Sequence, residues 1–421
     1  MRPPLELHAI EIQKLRKASM TRWLGSGRLD VDVLSLARLA ADPAIADVTV
    51  ELVGPGEPIR LVNVLDVVEP ATKADDRESS FPGIIGDIRR AGVGRTVRLE
   101  GAAIVALADL DQTHPEEVRA HHLDGDSVID MSGSAAHCTH WSGTHNIVMN
   151  FSAAPESSLR AVDNAIRRGM LAAAEEIAAA VASLVPDRID IIDLHDAGND
   201  LPSVCLILLV GSEGPLQDTI LYGRPLEGIM PILVEPAELL DGALINGAFD
   251  WAGVRNSSYF YQRNALAIEL IQQHGVTLNF SGAVLTLAYL SSAKEKARSA
   301  MQAANLAEQL GADGALISGY ASGNSQTDLM LVIRACEKAG IRTVGLAAET
   351  NGGLTDHLPE ADCLVSVGNK EEFVHGWAPR RVIGGAMRTG RDGHTAEPLP
   401  LISYVGSTSQ LGNTRFKAVW R

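Results

Sequence analysis

Short apolar runs alternate with helical patterns along the last third of the sequence, and this alternation restricts the possible fold more than any other feature. The runs are Gly282–Leu287, Gly314–Ser318, Arg342–Leu346 and Asp362–Val367, and the helical patterns are Tyr261–His274, Ala293–Leu310 and Thr327–Ala339. This order is typical of βαβ units, so we predict a parallel sheet that is covered on both faces. Ligands bind such a sheet at the carboxyl ends of its strands.

The first two thirds of the chain have a different pattern. The N-terminal part is predicted to be β-rich, and the clearest helix is Ser158–Leu184, where apolar residues recur at steps of three and four. Predicted strands of a small sheet follow at Arg188–Leu194, Ser203–Val210 and Asp218–Tyr222. Residues 111–126 and the tail beyond residue 380 are predicted to be irregular. The sequence therefore predicts an α/β protein with a β-rich region at 1–135, an α/β region at 136–245 and a parallel, Rossmann-like domain at 246–421.

The charge balance argues against two classes of partner. The 421 residues include 36 lysines and arginines against 52 acidic residues, a net charge of −16. Such a surface repels phosphate backbones and anionic lipid, so neither nucleic acid nor a membrane surface is expected as a main partner. The first 20 residues lack the apolar core of a signal peptide, and the four cysteines form no C-x-x-C motif. We expect a cytoplasmic protein.

The densest group of chemically reactive side chains lies within nine residues. His137, Cys138, His140 and His145 share this stretch, and imidazole and thiolate are ligands that suit Zn²⁺ or Fe²⁺. Asp130 and His195 are candidates to complete the metal site or to orient its ligands. The alternative is a polar surface loop whose histidines form local hydrogen bonds. A further alternative makes Cys138 a nucleophile with His140 as its base, because neighbouring side chains on an extended segment point apart.

Other predicted site residues lie where the parallel strands end. Glu349 ends one strand, and Asn324 and Asp328 follow another, so they could bind a substrate amine or carboxylate. The alternative for these residues is helix capping and turn formation. No G-x-S-x-G, Walker loop or dinucleotide fingerprint is present, which argues against serine catalysis and against ATP or nicotinamide binding.

Many short blocks in order resemble one known family. They include Gly54–Glu57 with Arg60, Asp66–Pro70, Phe81–Gly83, Gly101–Val105, Ile129–Gly133, Asp218–Thr219, Tyr222–Gly223, Asp241–Ala243, Asn256 with Tyr259, His274–Gly275, Leu278–Phe280, Gly323–Asn324, Thr327–Asp328, and Glu349 with Gly352. The chain is similar to the pyruvoyl-type precursor subunit of component B of the glycine, sarcosine and betaine reductases, and more distantly to the proline reductase proprotein. The resemblance implies a subunit that forms an imine with a substrate amine while a partner selenoprotein completes reductive C–N cleavage.

The resemblance fails at its chemical centre. In the family the precursor is cut before a cysteine that becomes the pyruvoyl group, and the alignment places Phe249 at that position and Gly253 at a second family cysteine. A pyruvoyl group is therefore not expected. The histidine-rich stretch is a second departure from the family. Together they lead to the hypothesis of metal-assisted hydrolytic or lyase cleavage of a small amino-acid-like or C–N-containing substrate.

In this hypothesis the metal ligands are His137, Cys138, His140 and His145. The catalytic residues are Asp130, Glu349 and His195, and the substrate-binding residues are Asn324, Asp328 and Tyr259. Two alternatives stay open: a genuine component B subunit that takes part in reductive C–N cleavage, and a non-catalytic scaffold for a catalytic partner. The partner would be a second protein subunit or another copy of this chain.

Overall fold

The computed structural model describes residues 3–420 except 75–78, 112, 121–124, 195–199, 247–255, 321–322, 350–361 and 415–416. These residues form the predicted α/β fold. The elements up to residue 192 are β1 (Leu5–Glu11), β2 (Lys14–Lys17), β3 (Arg22–Gly25), β4 (Arg28–Val31), α1 (Val33–Leu39), β5 (Ile45–Val53), β6 (Ile59–Val62), β7 (Val64–Val68), β8 (Ala71–Lys73), β9 (Gly94–Glu100), β10 (Ala102–Ala108), α2 (Pro115–Ala120), β11 (Val128–Asp130), β12 (His145–Ala153), α3 (Leu159–Ala179) and β13 (Arg188–Ile192).

The second half contains the longer parallel strands and their connecting helices. Its elements are β14 (Ser203–Val210), β15 (Ile220–Leu221), β16 (Arg224–Pro225), β17 (Ile232–Val234), α4 (Pro236–Leu240), β18 (Leu244–Ile245), α5 (Ser258–Gln262), α6 (Ala265–Gln273), β19 (Asn279–Leu287), α7 (Ala293–Gln309), β20 (Gly314–Ser318), α8 (Gly323–Lys338), β21 (Arg342–Glu349), β22 (Cys363–Asn369), β23 (Phe373–Val374), β24 (Arg381–Ile383), β25 (Leu399–Pro400) and β26 (Lys417–Trp420). Single-turn 3₁₀ helices lie at Ala136–Cys138, His140–Gly143 and Leu401–Ser403.

Two four-stranded sheets and α3 build the N-terminal half. The strand orders are β13-β1-β9-β8 and β5-β12-β10-β7. The long helix begins as predicted, because the Oγ of Ser158 caps it by accepting from the backbone N–H of Ala161. It ends at Ala179 rather than Leu184, since the following turns tighten into three-residue hydrogen bonds such as Val181 N–H to Ala178 O. Its apolar stripe is buried against the strands.

A seven-stranded sheet confirms the predicted parallel unit. Its order is β17-β19-β14-β20-β21-β22-β26, with five parallel strands between antiparallel edge strands. After β14 the chain adds β19 on one side of that strand and then β20 on the other. The topological switch point therefore lies between β14 and β20. Helices α7 and α8 connect β19 to β20 and β20 to β21. Because β14 comes from the predicted middle region, the sheet draws on residues either side of position 245, and the division into three domains stays a prediction.

Three predictions of local structure were wrong. The predicted small sheet does not form, because β13, β14 and β15 lie in three different sheets; the continuously apolar β14 suits the centre of a parallel sheet. The predicted loop at 111–126 contains α2, which begins with proline and two glutamates, residues that favour a helix N-terminus. The tail beyond residue 380 contributes β24, β25 and β26. Within the described residues, no helix is long and apolar enough to span a bilayer.

Candidate functional site

A cleft of about 630 Å³ opens beside the carboxyl end of β22. Its walls come from the 3₁₀ helices after β11, from the end of β22, from α5 and from the chain after β25. The lining residues are His137, Cys138, Thr139, His140, Phe260, Val367, Gly368, Asn369, Glu372, Val374, Leu401, Gly406, Ser407, Asn413 and Thr414. The structure therefore brings three of the sequence-predicted residues, His137, Cys138 and His140, to the edge where parallel sheets bind ligands.

His140 rests among aromatic rings at one wall of the cleft. Its ring centre lies 5.3 Å from that of Tyr259 and 6.2 Å from those of Trp141 and Phe260. The apolar surroundings lower the pKa of His140, and the positive charge of Arg263 lowers it further. The imidazole is therefore neutral near pH 7 and has one nitrogen that accepts a hydrogen bond.

Cys138 is not placed as an activated nucleophile. Its Sγ lies 3.7 Å from Nε2 of His137, so the partner is the adjacent histidine rather than His140. The extended segment assumed from the sequence is a 3₁₀ turn, which lets neighbouring side chains meet. Burial raises the pKa of the Cys138 thiol to about 11, and the nearby carboxylates of Asp130 and Glu372 raise it as well. A reactive cysteine needs a lowered pKa, so the nucleophile alternative is not supported.

The four predicted metal ligands do not converge. His145 is the first residue of β12 and lies beside the turn that carries Gly54 and Glu57, away from the cleft lined by His137, Cys138 and His140. Across the described part of the chain, no group of three or more His, Cys, Asp or Glu side chains is arranged to hold a metal ion. The spacing of these residues along the sequence did not predict that β12 would carry His145 to another side of the fold.

Asp130 forms a buried ion pair and does not reach the cleft. Its two carboxylate oxygens accept hydrogen bonds from Nε and Nη2 of Arg60 at 2.6 and 3.0 Å, and both residues are almost fully buried. Arg60 also donates to the backbone carbonyls of Trp377 and Gly393. Burial raises the pKa of Asp130, while Arg60 opposes that shift. This arrangement indicates that Asp130 and Arg60 attach the tail to the N-terminal half, in place of the predicted base function.

The remaining predicted residues lie at separate points along the sheet edge. Glu349 ends β21, and its carbonyl accepts from the backbone N–H of Lys370, one residue after the cleft residue Asn369. His195 lies outside the described residues. Asn324 and Asp328 stand at the start of α8, at some remove from the residues that line the cleft.

Asn324 and Asp328 join α8 to the preceding connection. Nδ2 of Asn324 donates to the carbonyl of Leu290 at 3.1 Å, and the carboxylate of Asp328 accepts from Nζ of Lys296 at 2.7 Å. Asp328 and Lys296 are both buried, and burial raises the pKa of Asp328 despite its positive partner. These contacts join α8 to α7 and to the segment that precedes α7, and the substrate-binding role of the two residues stays a prediction.

Tyr259 is buried behind His140 rather than open to a ligand. It is 3% exposed, and burial raises the pKa of its hydroxyl. Nearby, Arg263 contacts the carboxylates of Glu69 and Glu100, and Arg98 lies 3.6 Å from Glu69. This ion-pair network lies behind the aromatic wall of the cleft, where it positions α5 and places a positive charge near His140.

A buried polar cluster at the start of α5 was not predicted from the sequence. Asp66 accepts from the backbone N–H of Ser258 at 2.8 Å and from its Oγ at 2.5 Å, and that Oγ accepts from the backbone N–H of Asn246 at 3.2 Å. Burial raises the pKa of Asp66 to about 7, although these hydrogen bonds lower it. A feature of the sequence that could have predicted this cluster is the acidic residue Asp66 inside the otherwise apolar strand Val64–Val68.

The same cluster continues to the C-terminal tail. The side chain of Asn246 donates to the carbonyl of Asn256, whose own side chain donates to Gln410. The carbonyl of Gln410 accepts from Oγ of Ser318 at 2.6 Å, at the end of β20. The residues on either side of segment 247–255 are therefore joined at the switch point of the sheet. Phe249 and Gly253, the positions aligned with the family's cysteines, lie outside the described residues.

Comparison with known proteins identifies the family. Residues 3–397 match the family model for glycine/sarcosine/betaine reductase component B subunits. The chain belongs to this family. It is 31% identical over 444 aligned positions to the glycine reductase complex component B subunits alpha and beta of Acetoanaerobium sticklandii, an alignment that covers 98% of this chain and 99% of that protein.

Two further relatives come from Peptoclostridium acidaminophilum. The chain is 30% identical to the sarcosine reductase complex component B subunit alpha, over 90% of this chain and 89% of that protein. It is also 30% identical to the betaine reductase complex component B subunit alpha, over 84% and 81%. No solved structure matches the chain. The predicted family is confirmed, and these component B relatives favour the reductase alternative over metal-assisted hydrolysis, for which they give no support.

Proposed function

We propose that this chain is a component-B-type subunit that binds a small organic ammonium compound in the cleft beside β22 and presents its C–N bond to a reducing partner subunit. The observation that carries this proposal is the charge of the cleft. The described residues that line it include one carboxylate, Glu372, and neither lysine nor arginine. Such a lining attracts a positively charged ligand and provides no guanidinium for binding a carboxylate.

Hydrogen-bond acceptors in the cleft support the same ligand. Asn413 donates its amide nitrogen to the carbonyl of Arg263 at 2.9 Å, while its Oδ1 is buried without a hydrogen-bond partner. The hydroxyls of Thr139 and Thr414 are also buried without a partner. A buried polar atom without a partner is costly, so a ligand that donates hydrogen bonds would compensate these three groups. An ammonium group donates up to three.

The neutral ring of His140 is compatible with an ammonium ligand. A protonated imidazole would repel the ligand, but the aromatic surroundings and Arg263 hold the pKa of His140 below its ordinary range. Phe260 also lines the cleft, and aromatic rings attract cations over their faces. The glycine, sarcosine and betaine reductases that give the relatives their names suggest three probes: glycine and sarcosine, whose ammonium groups donate hydrogen bonds, and betaine, whose quaternary ammonium offers charge but no N–H donor.

The residues of this chain do not fit the family's pyruvoyl group. The resemblance implies that Phe249 stands at the position of the precursor cysteine, and the four cysteines lie at 138, 205, 336 and 363, all distant in sequence from that segment. Cys205, Cys336 and Cys363 are buried, and Cys138 lies in the cleft. We therefore derive no step through a pyruvoyl group and propose that the chain acts uncut, with the electrons for C–N cleavage supplied by its partner.

Calorimetric titration of a neutralised variant tests the charge of the cleft. Glu372→Gln removes the carboxylate and keeps the shape of the side chain, so the affinity for sarcosine should fall about two- to fivefold, as expected for one exposed ion pair. Glu397→Gln, another exposed glutamate in the tail, is the matched control and should leave the affinity unchanged. Equal affinities of both variants and the unaltered chain would count against the proposed site.

A further inference from the structure

The edge strand β13 exposes an unusual amount of apolar surface. It pairs with β1 and forms one edge of its four-stranded sheet. Ile189 and Ile191 are 48% and 64% exposed, and Val185, just before the strand, is 90% exposed. Long exposed edges with apolar side chains act as templates for pairing with another strand. Proteins commonly protect such edges with lysine or proline, and β13 contains neither.

The charges of β13 are arranged to match a second copy of the same strand. Arg188 and Asp190 alternate with the exposed Ile189 and Ile191, so both charges lie on one face, together with the buried Ile192, and the two exposed isoleucines lie on the other. In an antiparallel pair related by a two-fold axis at Ile189, Arg188 of each copy stands opposite Asp190 of the other. A pair centred on Asp190 would place two carboxylates opposite each other. Of these two registers, the charge pattern favours the one centred on Ile189.

We propose that two copies of this chain associate through β13 to form one continuous eight-stranded sheet. Ile189 of each copy faces its equivalent, and Ile191 lies diagonally against it, so four isoleucines share one face, where Asp187 of each copy stands opposite Ile191 of the other. On the other face, Arg188 already contacts Asp190 and Glu100 of its own chain, at 3.1 and 2.7 Å. Adding Asp190 of the second copy gives alternating positive and negative charges across the axis.

Analytical ultracentrifugation of the full chain tests this interface. The unaltered protein should sediment with twice the 44.7 kDa mass of one chain. Ile189→Lys places two lysines opposite each other at the two-fold axis and should raise the dimer dissociation constant about tenfold or more. Ile88→Lys is the matched control, because Ile88 is 77% exposed and lies outside β13; it should leave the mass unchanged.

Charge reversal identifies the register and the partner. Arg188→Asp and Asp190→Arg each place like charges opposite each other and should weaken the dimer of the single variant. Mixing the two single variants restores opposite charges at both contacts, so a mixed dimer should form. A monomeric unaltered chain would overturn the proposal. So would a dimer that persists in Ile189→Lys and in both reversals, since its interface would then lie elsewhere.

Discussion

At the scale of single residues, the hydrogen-bond partners of the buried carboxylates of Asp130 and Asp66 explain why the two differ. Asp130 has the residue type of a catalytic base, but its two oxygens are used by Arg60 inside the protein. Asp66, in contrast, accepts hydrogen bonds from Ser258 and from the backbone N–H of Val67, and within the described residues no arginine or lysine donates to it, although the charge of Arg167 lowers its pKa. Burial without a directly bonded cation is what raises the pKa of Asp66 so far.

Asp66 should make stability depend on pH. Its pKa in the folded protein, about 7, lies above its ordinary value of 3.8, so the folded state binds the proton more tightly than the unfolded chain does. The contribution of this proton to the free energy of unfolding is fully present below pH 3.8 and is lost as pH rises through 7. At about 1.4 kcal/mol per pKa unit the loss is at most about 4 kcal/mol. Urea unfolding at pH 5 and pH 8 should show a smaller decrease for Asp66→Asn than for the unaltered chain; equal decreases would contradict this assignment.

Breaking the Arg60–Asp130 pair should destabilise the whole fold. Asp130→Asn leaves a buried guanidinium without its counter-charge, which costs about 3–5 kcal/mol. Urea unfolding measures the difference. Glu51→Gln, which interrupts the exposed pair of Glu51 with Arg381, is the control and should cost about 1 kcal/mol or less. An Asp130→Asn protein of normal stability that has lost its activity would restore the predicted catalytic role.

At the scale of single elements, the helices were predicted best. The cap at Ser158 and the reciprocal bonds of Ser292 and Glu295 mark the starts of α3 and α7 in the sequence itself. The predicted β-rich N-terminal part did not resolve β1 to β4 individually, because β2, β3 and β4 have only four residues each and charged residues are scattered through all four strands. Strands β6 and β7 are separated at Asn63, whose positive φ of 57° and side-chain bonds to Gly384 and Ala386 depend on a distant part of the chain.

The residues of the cleft, too, could be predicted from the sequence only in part. His137, Cys138 and His140 are neighbours in the sequence, so their grouping could be predicted from it. Glu372 and Asn413 could not, because only the packing of the tail on α5 and β22 brings them to those histidines. Sequence spacing also placed His145 in the group, whereas the register of β12 separates it.

Substitutions at two glycines test the close contact between the β15–β16 turn and Gly83. Gly223, in the turn between β15 and β16, has a φ of 77°, and an added Cβ would lie 2.0 Å from the carbonyl oxygen of Gly83. Gly228 has a similar φ of 68° but open space around it. Urea unfolding should show that Gly228→Ala costs about 1–2 kcal/mol, the left-handed backbone alone, and that Gly223→Ala costs at least about 2 kcal/mol more. Equal costs would show that the contact with Gly83 adjusts freely.

At the scale of the whole molecule, the proposal requires an uncut chain. Without a cysteine near position 249, self-cleavage of the family's kind has no precursor residue. Intact-mass spectrometry of the freshly purified protein should therefore give one species of 44.7 kDa. Two fragments that together account for this mass would show that another residue, such as Ser257 or Ser258, takes the place of the cysteine.

Binding of an amine to the complete protein tests the central claim most directly. Isothermal titration calorimetry would compare glycine, sarcosine and betaine with acetate, which has the carboxylate and lacks the ammonium group. Because the cleft offers acceptors and Glu372 but no described lysine or arginine, at least one amine should bind with one site per chain, and acetate should not bind. Acetate binding as tightly as the amines, or no binding of any of the three, would contradict the account.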